Sequence, residues 1–576
     1  MVIAAACADP DIPPQQSADD RIEASDPKEH VVETLPWIVA AAHPYAAEAG
    51  AQILRKGGTA ADAAVAVQAT LGLVEPQSSG LGGGAFMLYY DAQSGILTAY
   101  DGREFAPASV KPDVFLREDG TPMGFIDAVT SGLSVGVPGT VALLEKTHKE
   151  HGQLAWPELF ETPIILSRDG FSMPQRLHYY AGRLAALREE AGAAIYFGKD
   201  GAPVPVGGTV MNAAYADTLS LIAEEGSKAF YHGPLADAVI ARVNRQTGED
   251  TLTREDFADY EVEVRNPVCT DIQAFEVCSM PPPSSGGITL LQIAGIFEAT
   301  GAHGSPEDHL LSYVEATRLA YADRGRYIGD PAEMGTETLS ADQLTRALVS
   351  PQYLAGRAAL ISDGPLEKVE PGSPAGPLIK EGRADGDPYE RPSTSHFSIR
   401  DRYGNIVSMT TTVEFAFGSQ MMAAGMVLNN QLTDFSRVPE VDGRLVVNAP
   451  RPRKRPLSSM TPVMVFDDSG APYAAMGSPG GPAIIGYVAR PLLAHLLGGE
   501  TFSEAMVRPH IVVPRGRVIV ETGGDSVAED LRLKGYDVMV RDLSSGIYGF
   551  VLGKDGIDLL VDPRREGVAL IGRDEK

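Results

Sequence analysis

The chain has 576 residues, 44% hydrophobic and 22% charged, with a formal net charge of −28 at pH 7. That composition belongs to a folded protein rather than a disordered or fibrous one, and the length calls for two or more subdomains or one large layered domain. No stretch approaches the roughly 18–20 apolar residues of a membrane span, and the negative balance would repel a polyphosphate backbone, so no nucleic-acid partner is expected.

Met1-Val-Ile-Ala-Ala-Ala-Cys7 resembles the end of a small-residue export signal, with a lipoprotein-like cysteine but no basic start. Residues 1–35 are expected to be a leader, polar from residue 8 onward, and the protein to be periplasmic or secreted, with Cys7 the candidate site of a lipid anchor. Pro44 to Lys56 reads as an Ala-rich amphipathic helix closed by Gly57-Gly58, and Thr59 caps a second helix through Leu73. Phe86–Tyr90 and Leu97–Tyr100 predict a hairpin, and a largely helical region follows from Pro138 to Leu187.

Cys269 and Cys278 bracket a second short hairpin. Two free core thiols are the expectation there, with a cross-strand disulfide as the alternative in an oxidising compartment. A helix is expected from Thr289. Residues 364–393 carry six prolines among Gly and charged residues, the best linker candidate in the chain. Ser395–Arg400 and Ile406–Val413 alternate across the turn Asp401–Asn405, a clear hairpin signal, and Ile484–Leu497 reads as a helix. Segregated blocks of helix and strand predict a layered α/β fold with a largely antiparallel sheet.

The acidity is uneven. Residues 394–576 hold 20 basic and 21 acidic side chains, and the first 393 hold 28 and 55. Three motifs fail on context. Gly80-Leu-Gly-Gly-Gly-Ala85 matches a loose dinucleotide fingerprint, but a helix precedes it and a strand follows, so it reads as a packing turn. Gly132-Leu-Ser134-Val-Gly136 lacks the immediate helix of a nucleophile elbow. His148 and His151 share a helix face, yet Lys149 and Glu150 beside them predict a solvated surface rather than a metal site. No zinc or calcium spacing occurs elsewhere, and no metal or cofactor is expected.

Thr394 differs in kind, because it joins the Pro-rich stretch to a strong strand within Pro392-Ser-Thr-Ser-His396. Cleavage before it would leave an N-terminal threonine whose own α-amine, with a reference pKa near 8, could activate its hydroxyl.

Around Thr394 the sequence resembles a known family. Thr394-Ser-His396, Gly404-Asn405, Phe417-Gly418, Asn429 to Ser436, Arg455-Pro-Leu-Ser-Ser459 and Gly477-Ser-Pro-Gly-Gly481 are similar to the small subunit of γ-glutamyltranspeptidases. Gly57 to Ala66, Gly80–Gly84, Arg103-Glu-Phe-Ala-Pro107 and Pro281-Pro-Pro-Ser-Ser-Gly-Gly287 match the large subunit in order, so the resemblance covers residues 36–576.

The resemblance implies an αββα N-terminal-nucleophile sandwich. One precursor would cut itself between Ser393 and Thr394 into a large subunit (36–393, ending in the linker 364–393) and a small catalytic subunit (394–576) that stay associated. It implies Thr394 as nucleophile, Thr412 supporting its amine, and Gly480 and Gly481 as oxyanion donors. Arg103, Ser458 and Ser459 would hold the substrate α-carboxylate, and Gln431 and Asp434 the α-ammonium. The substrate would be glutathione or another γ-glutamyl amide, and the acceptor water, an amino acid or a peptide. Ser395 stands where the family often has threonine, and Glu414 where typical members have an asparagine near the substrate amine. Glu414 keeps open a glutaryl or cephalosporin-type acylase of the same fold. An inactive, uncleaved binding homologue is the third reading.

Overall fold

The structure, a computed structural model, describes residues 35–184, 186–189, 191–302, 304–336, 339–374, 384–386, 393–554 and 556–573. Residues 1–34, with Cys7, and half of the 364–393 stretch (375–383 and 387–392) lie outside these residues.

The two helices near the start form as their capping signals dictate. Pro44–Arg55 (α1) begins on a proline, and Ala60–Val74 (α2) begins on a capping box in which Thr59 and Asp62 exchange side-chain-to-backbone bonds. Alanines let the pair approach closely, and α2 is buried along almost its whole length. Both lie on a seven-stranded sheet built from Trp37–Ala41 (β1), Gly84–Asp91 (β2), Ile96–Gly102 (β3), Glu263–Arg265 (β4), Ser395–Arg400 (β7), Ile406–Thr412 (β8) and Val568–Gly572 (β13). Its order is β13-β1-β7-β8-β2-β3-β4, antiparallel throughout. Thr140–His151 (α3) packs on this side as well.

The second sheet runs Gly556–Val561 (β12), Tyr548–Gly553 (β11), Pro472–Gly477 (β10), Val463–Phe466 (β9), Phe275–Ser279 (β6) and Val268–Ile272 (β5), again antiparallel. Its outer face carries Gly286–Ala299 (α4), Leu310–Tyr327 (α5) and Ile484–Gly498 (α6). Ile38, Phe86, Leu88 and Ile406 of the first sheet meet Cys278, Met464, Ala475 and Phe550 of the second in one apolar layer. Helix, sheet, sheet, helix is the αββα order that the resemblance implies.

The helix expected from Thr289 starts three residues earlier, at Gly286, because Pro281 to Ser285 already turns the chain back. Cys269 and Cys278 are directly opposed in the β5–β6 hairpin and are joined in a disulfide rather than free. The antiparallel register brings their Cα atoms to 4.1 Å, within bonding reach of the two sulfurs. His148 and His151 also depart from expectation, since both are half-buried. His151 stacks on Tyr89, and His148 meets Trp156 and Asp62, so the pair packs in two directions instead of facing solvent.

The Gly80–Gly84 segment is a packing turn. A Cβ on Gly83 would lie 2.1 Å from the Thr412 carbonyl oxygen, so only glycine lets this turn close on the end of β8. Ser134 is buried and donates to the Val129 carbonyl, which leaves it no role as an exposed nucleophile.

Candidate active site

β7 and β8 are neighbours at the centre of the first sheet, and their antiparallel register sets Ser395 opposite Thr411. Thr394, just before β7, and Thr412, at the end of β8, therefore meet although 18 residues separate them. Strand alternation sorts the side chains into two faces. His396, Ser398, Ser408 and Thr410 face the second sheet, where Ser398 donates to the Tyr548 carbonyl and Ser408 to that of Met476. Ser395 faces the helices, donating to Glu75 at 2.6 Å and accepting from Ser79 at 3.0 Å. His396 contacts the hydroxyls of Thr410 and Ser398, and burial lowers its pKa from 6.5 to about 3, so it stays neutral.

The chain is continuous from Ser393 to Thr394, and their geometry is compact. Thr394 Oγ1 lies 2.5 Å from the Ser393 carbonyl oxygen and 3.2 Å from Thr412 Oγ1. Thr412 Oγ1 donates to the same carbonyl at 2.8 Å and accepts from the Glu414 backbone N–H at 2.9 Å. Glu414 achieves this at φ +77°, a backbone state costly for a non-glycine residue. Its carboxylate accepts from Asn430 Nδ2.

Thr394 and Thr412 open onto a cavity lined also by Arg103, Glu414, Gln431, Asp434, Ser458, Ser459, Met460, Gly481 and Ile484. The structure thus gathers nearly every site residue expected from the sequence around one space. Arg103 follows β3 and is 1% exposed, with its Nη2 donating to Asp434 at 2.6 Å and to the Leu457 carbonyl at 2.7 Å. Gln431 Nε2 donates to the same Asp434 oxygen at 2.6 Å. Gln431–Asp434 is a short 3-10 turn, held where Asn448 Nδ2 donates to the Asp434 carbonyl. Of the 23 residues between Asp434 and Ser458, Glu440–Leu445 forms a small exposed hairpin.

Gly480 and Gly481 turn the chain from β10 toward α6, at φ +141° and +57°. A Cβ on Gly480 would also strike the Tyr487 ring at 2.4 Å. Gly480 backs the turn, and Gly481 lines the cavity.

Several residues were not anticipated. Arg565, fully buried, donates to the Thr394 carbonyl at 3.0 Å, and burial lowers its pKa to about 10. Burial raises the pKa of Glu75, while Arg565 and Arg176 partly offset the shift. Glu104, beside Arg103, is raised to about 8 by burial despite that neighbour. Arg324 reaches Ser459 and Ser285. No local pattern marks Arg565, Glu75 or Arg324, whose contacts cross long sequence separations, whereas Glu104 lies within the Arg103–Pro107 motif.

A family model described as gamma-glutamyltranspeptidase matches residues 46–572. The chain is 37% identical over 487 residues to a glutathione hydrolase proenzyme of Bacillus subtilis (strain 168), covering 82% of this chain and 80% of that one. It is 34% identical over 545 residues to a glutathione hydrolase proenzyme of Escherichia coli (strain K12), covering 92% and 90%. Among solved structures, a cephalosporin acylase from Bacillus halodurans is similar at TM-score 0.79 and 25% identity, over 96% of this chain and 99% of that one. A gamma-glutamyltranspeptidase from Pseudomonas nitroreducens is similar at TM-score 0.52 and 32% identity, over 59% of this chain and 99% of that one. With collinear motifs, the four-layer architecture and a match across most of its length, the chain belongs to the γ-glutamyltranspeptidase family of N-terminal-nucleophile enzymes.

Proposed function

We propose that the protein matures by cutting itself between Ser393 and Thr394, then hydrolyses or transfers the γ-glutamyl group of glutathione and related amides through an ester on Thr394. The observation that carries this is the Thr394 hydroxyl, set against both Thr412 and the Ser393 carbonyl at the wall of a cavity that also holds Arg103 and Asp434. The related proenzymes named as glutathione hydrolases support the substrate.

In maturation, Thr394 Oγ1 attacks the Ser393 carbonyl carbon. Its proton passes to Thr412 Oγ1 as the Thr412 proton moves to the carbonyl oxygen, along contacts of 3.2 and 2.8 Å. Collapse breaks the Ser393–Thr394 C–N bond as the proton on the former carbonyl oxygen passes to the nitrogen, leaving an ester on Thr394 Oγ1 beside the new α-amine. Water then cleaves the ester and releases the Ser393 carboxylate and the free Thr394 hydroxyl. This divides the chain into a large subunit, 36–393, and a small subunit, 394–576, held together by the shared sheets.

In turnover the α-amine takes the Thr394 proton as Oγ1 attacks the γ-carbonyl, and later delivers it to the leaving amine. The Gly480–Gly481 turn supplies backbone N–H groups to the tetrahedral oxyanion, a stabilisation typically worth about 3 kcal/mol per donor. Arg103 with Ser458 and Ser459 takes the α-carboxylate, and Asp434 and Gln431 take the α-ammonium. Glu414 adds a second carboxylate to a cavity with one lining cation, which favours a head group that carries an ammonium.

A glutaryl-type acylase is the competing specificity, supported by the likeness to the Bacillus halodurans acylase. Comparing γ-glutamyl and glutaryl anilides separates them, since the two differ by the amine; faster turnover of the glutaryl compound would overturn the γ-glutamyl reading. The Cys269–Cys278 disulfide supports an exported, periplasmic or secreted enzyme. Among the described residues no helix is long and apolar enough to cross a membrane.

A further inference from the structure

We propose that Arg324 is a positioning residue for the carboxylate end of the cavity, orienting Ser459 directly and Ser458 through Ser285. The inference rests on the reading of those two serines as carboxylate donors. Arg324 lies in the last turn of α5 and is 5% exposed. Its Nη2 donates to Ser459 Oγ at 2.9 Å and its Nε to Ser285 Oγ at 2.7 Å. Ser285 in turn binds the Ser458 carbonyl twice, through its hydroxyl and its backbone N–H, each at 2.7 Å.

The chemistry of the donors gives these contacts a direction. A guanidinium has five N–H donors and no acceptor, so toward Arg324 the Ser459 hydroxyl can only accept. Its single proton is then left for another partner. Ser458 is in the same state, because its Oγ accepts from the Met460 N–H at 3.1 Å. Among the described residues neither hydroxyl donates to a protein acceptor, and both serines line the cavity beside Arg103. Two hydroxyl protons are thereby reserved for an anion, in a geometry fixed by one planar fork. Lysine, a point charge on a flexible stem, cannot hold two oxygens in that fixed relation.

The same helix face carries Tyr321, whose hydroxyl donates to the Pro482 carbonyl next to the glycine turn. α5 thus braces both the carboxylate end and the oxyanion turn, and Arg324 is its contact with the carboxylate end.

The test compares the matured enzyme on a γ-glutamyl anilide and on the 4-aminobutyryl anilide, which lacks only the α-carboxylate. Arg324→Met is expected to raise KM for the γ-glutamyl compound about 10- to 100-fold, the range of a charge-assisted hydrogen bond. Its kcat should stay within about 3-fold, and kcat/KM for the 4-aminobutyryl compound should change by less than about 3-fold. Arg324→Lys should retain most of the KM defect. Ser285→Ala, a milder change, should raise the γ-glutamyl KM by about 3- to 10-fold and serves if Arg324→Met does not mature. Equal losses on both anilides, a fall in kcat at constant KM, or an unchanged KM in Ser285→Ala would overturn the proposal. Failure of the underlying reading is visible separately: wild-type enzyme would then turn over the two anilides alike.

Discussion

The reaction centre and the carboxylate end of the same cavity are built in opposite ways. The centre is local at its core: Ser393, Thr394, Thr412 and Glu414 come from one hairpin, and the contacts among these four span at most 19 residues. The carboxylate end is distributed. Arg103, Ser285, Arg324, Asp434 and Ser458–Ser459 come from five separated segments, and Arg103 reaches Asp434 across 331 residues. A cut before Thr394 would leave the nucleophile wholly in one chain and divide the substrate-binding end between two. The chemistry can therefore be assembled before cleavage, while recognition depends on the two chains staying together.

Substitutions should separate these regions by what they change. Thr394→Ala should have the largest effect, leaving a single chain on a denaturing gel and lowering anilide hydrolysis by about 1,000-fold or more. Asp434→Asn strikes the distributed end, where a buried carboxylate holds both Arg103 and Gln431. Cleavage should persist, while KM for the γ-glutamyl anilide rises about 100-fold in steady-state kinetics. Thr412→Val should slow maturation about 10- to 100-fold, followed by gel densitometry of fresh precursor, because the relay to the Ser393 carbonyl loses its middle hydroxyl. A Thr412→Val defect confined to KM would break the division between the two regions.

The smallest effect concerns stability. Below pH 6.5 the unfolded chain protonates His396, whereas the folded chain resists until about pH 3. Wild-type stability from this group therefore falls as pH drops through that window, by up to about 1.4 kcal/mol per pH unit. His396→Gln removes that contribution, so its urea midpoint should fall less than that of wild type between pH 7 and pH 5.

The same contrast explains what was legible in the sequence. The Ser395–Arg400 and Ile406–Thr412 hairpin, the Thr59 cap and the α6 helix are local patterns and form almost as read. Arg103, Asp434 and the paired serines have no such pattern, and only the resemblance grouped them. Arg324 sits in a helix whose sequence, Thr317-Arg-Leu-Ala-Tyr-Ala-Asp-Arg324, could as well present a solvated charge; its partners are 39 and 135 residues away. Local reading misled at His148 and His151, where the neighbours Lys149 and Glu150 suggested solvent but Tyr89 and Trp156 cover the rings. The hairpin carrying Cys269 and Cys278 was readable from spacing, yet spacing does not state a redox condition.

Thr394 as a self-exposed N-terminal nucleophile is most directly tested by intact mass and N-terminal sequencing of the purified protein beside its Thr394→Ala variant. The account predicts a small chain of 183 residues beginning at Thr394 in the wild type, and one uncut chain in the variant. A small chain beginning at any other residue, or the same two chains in Thr394→Ala, would contradict it.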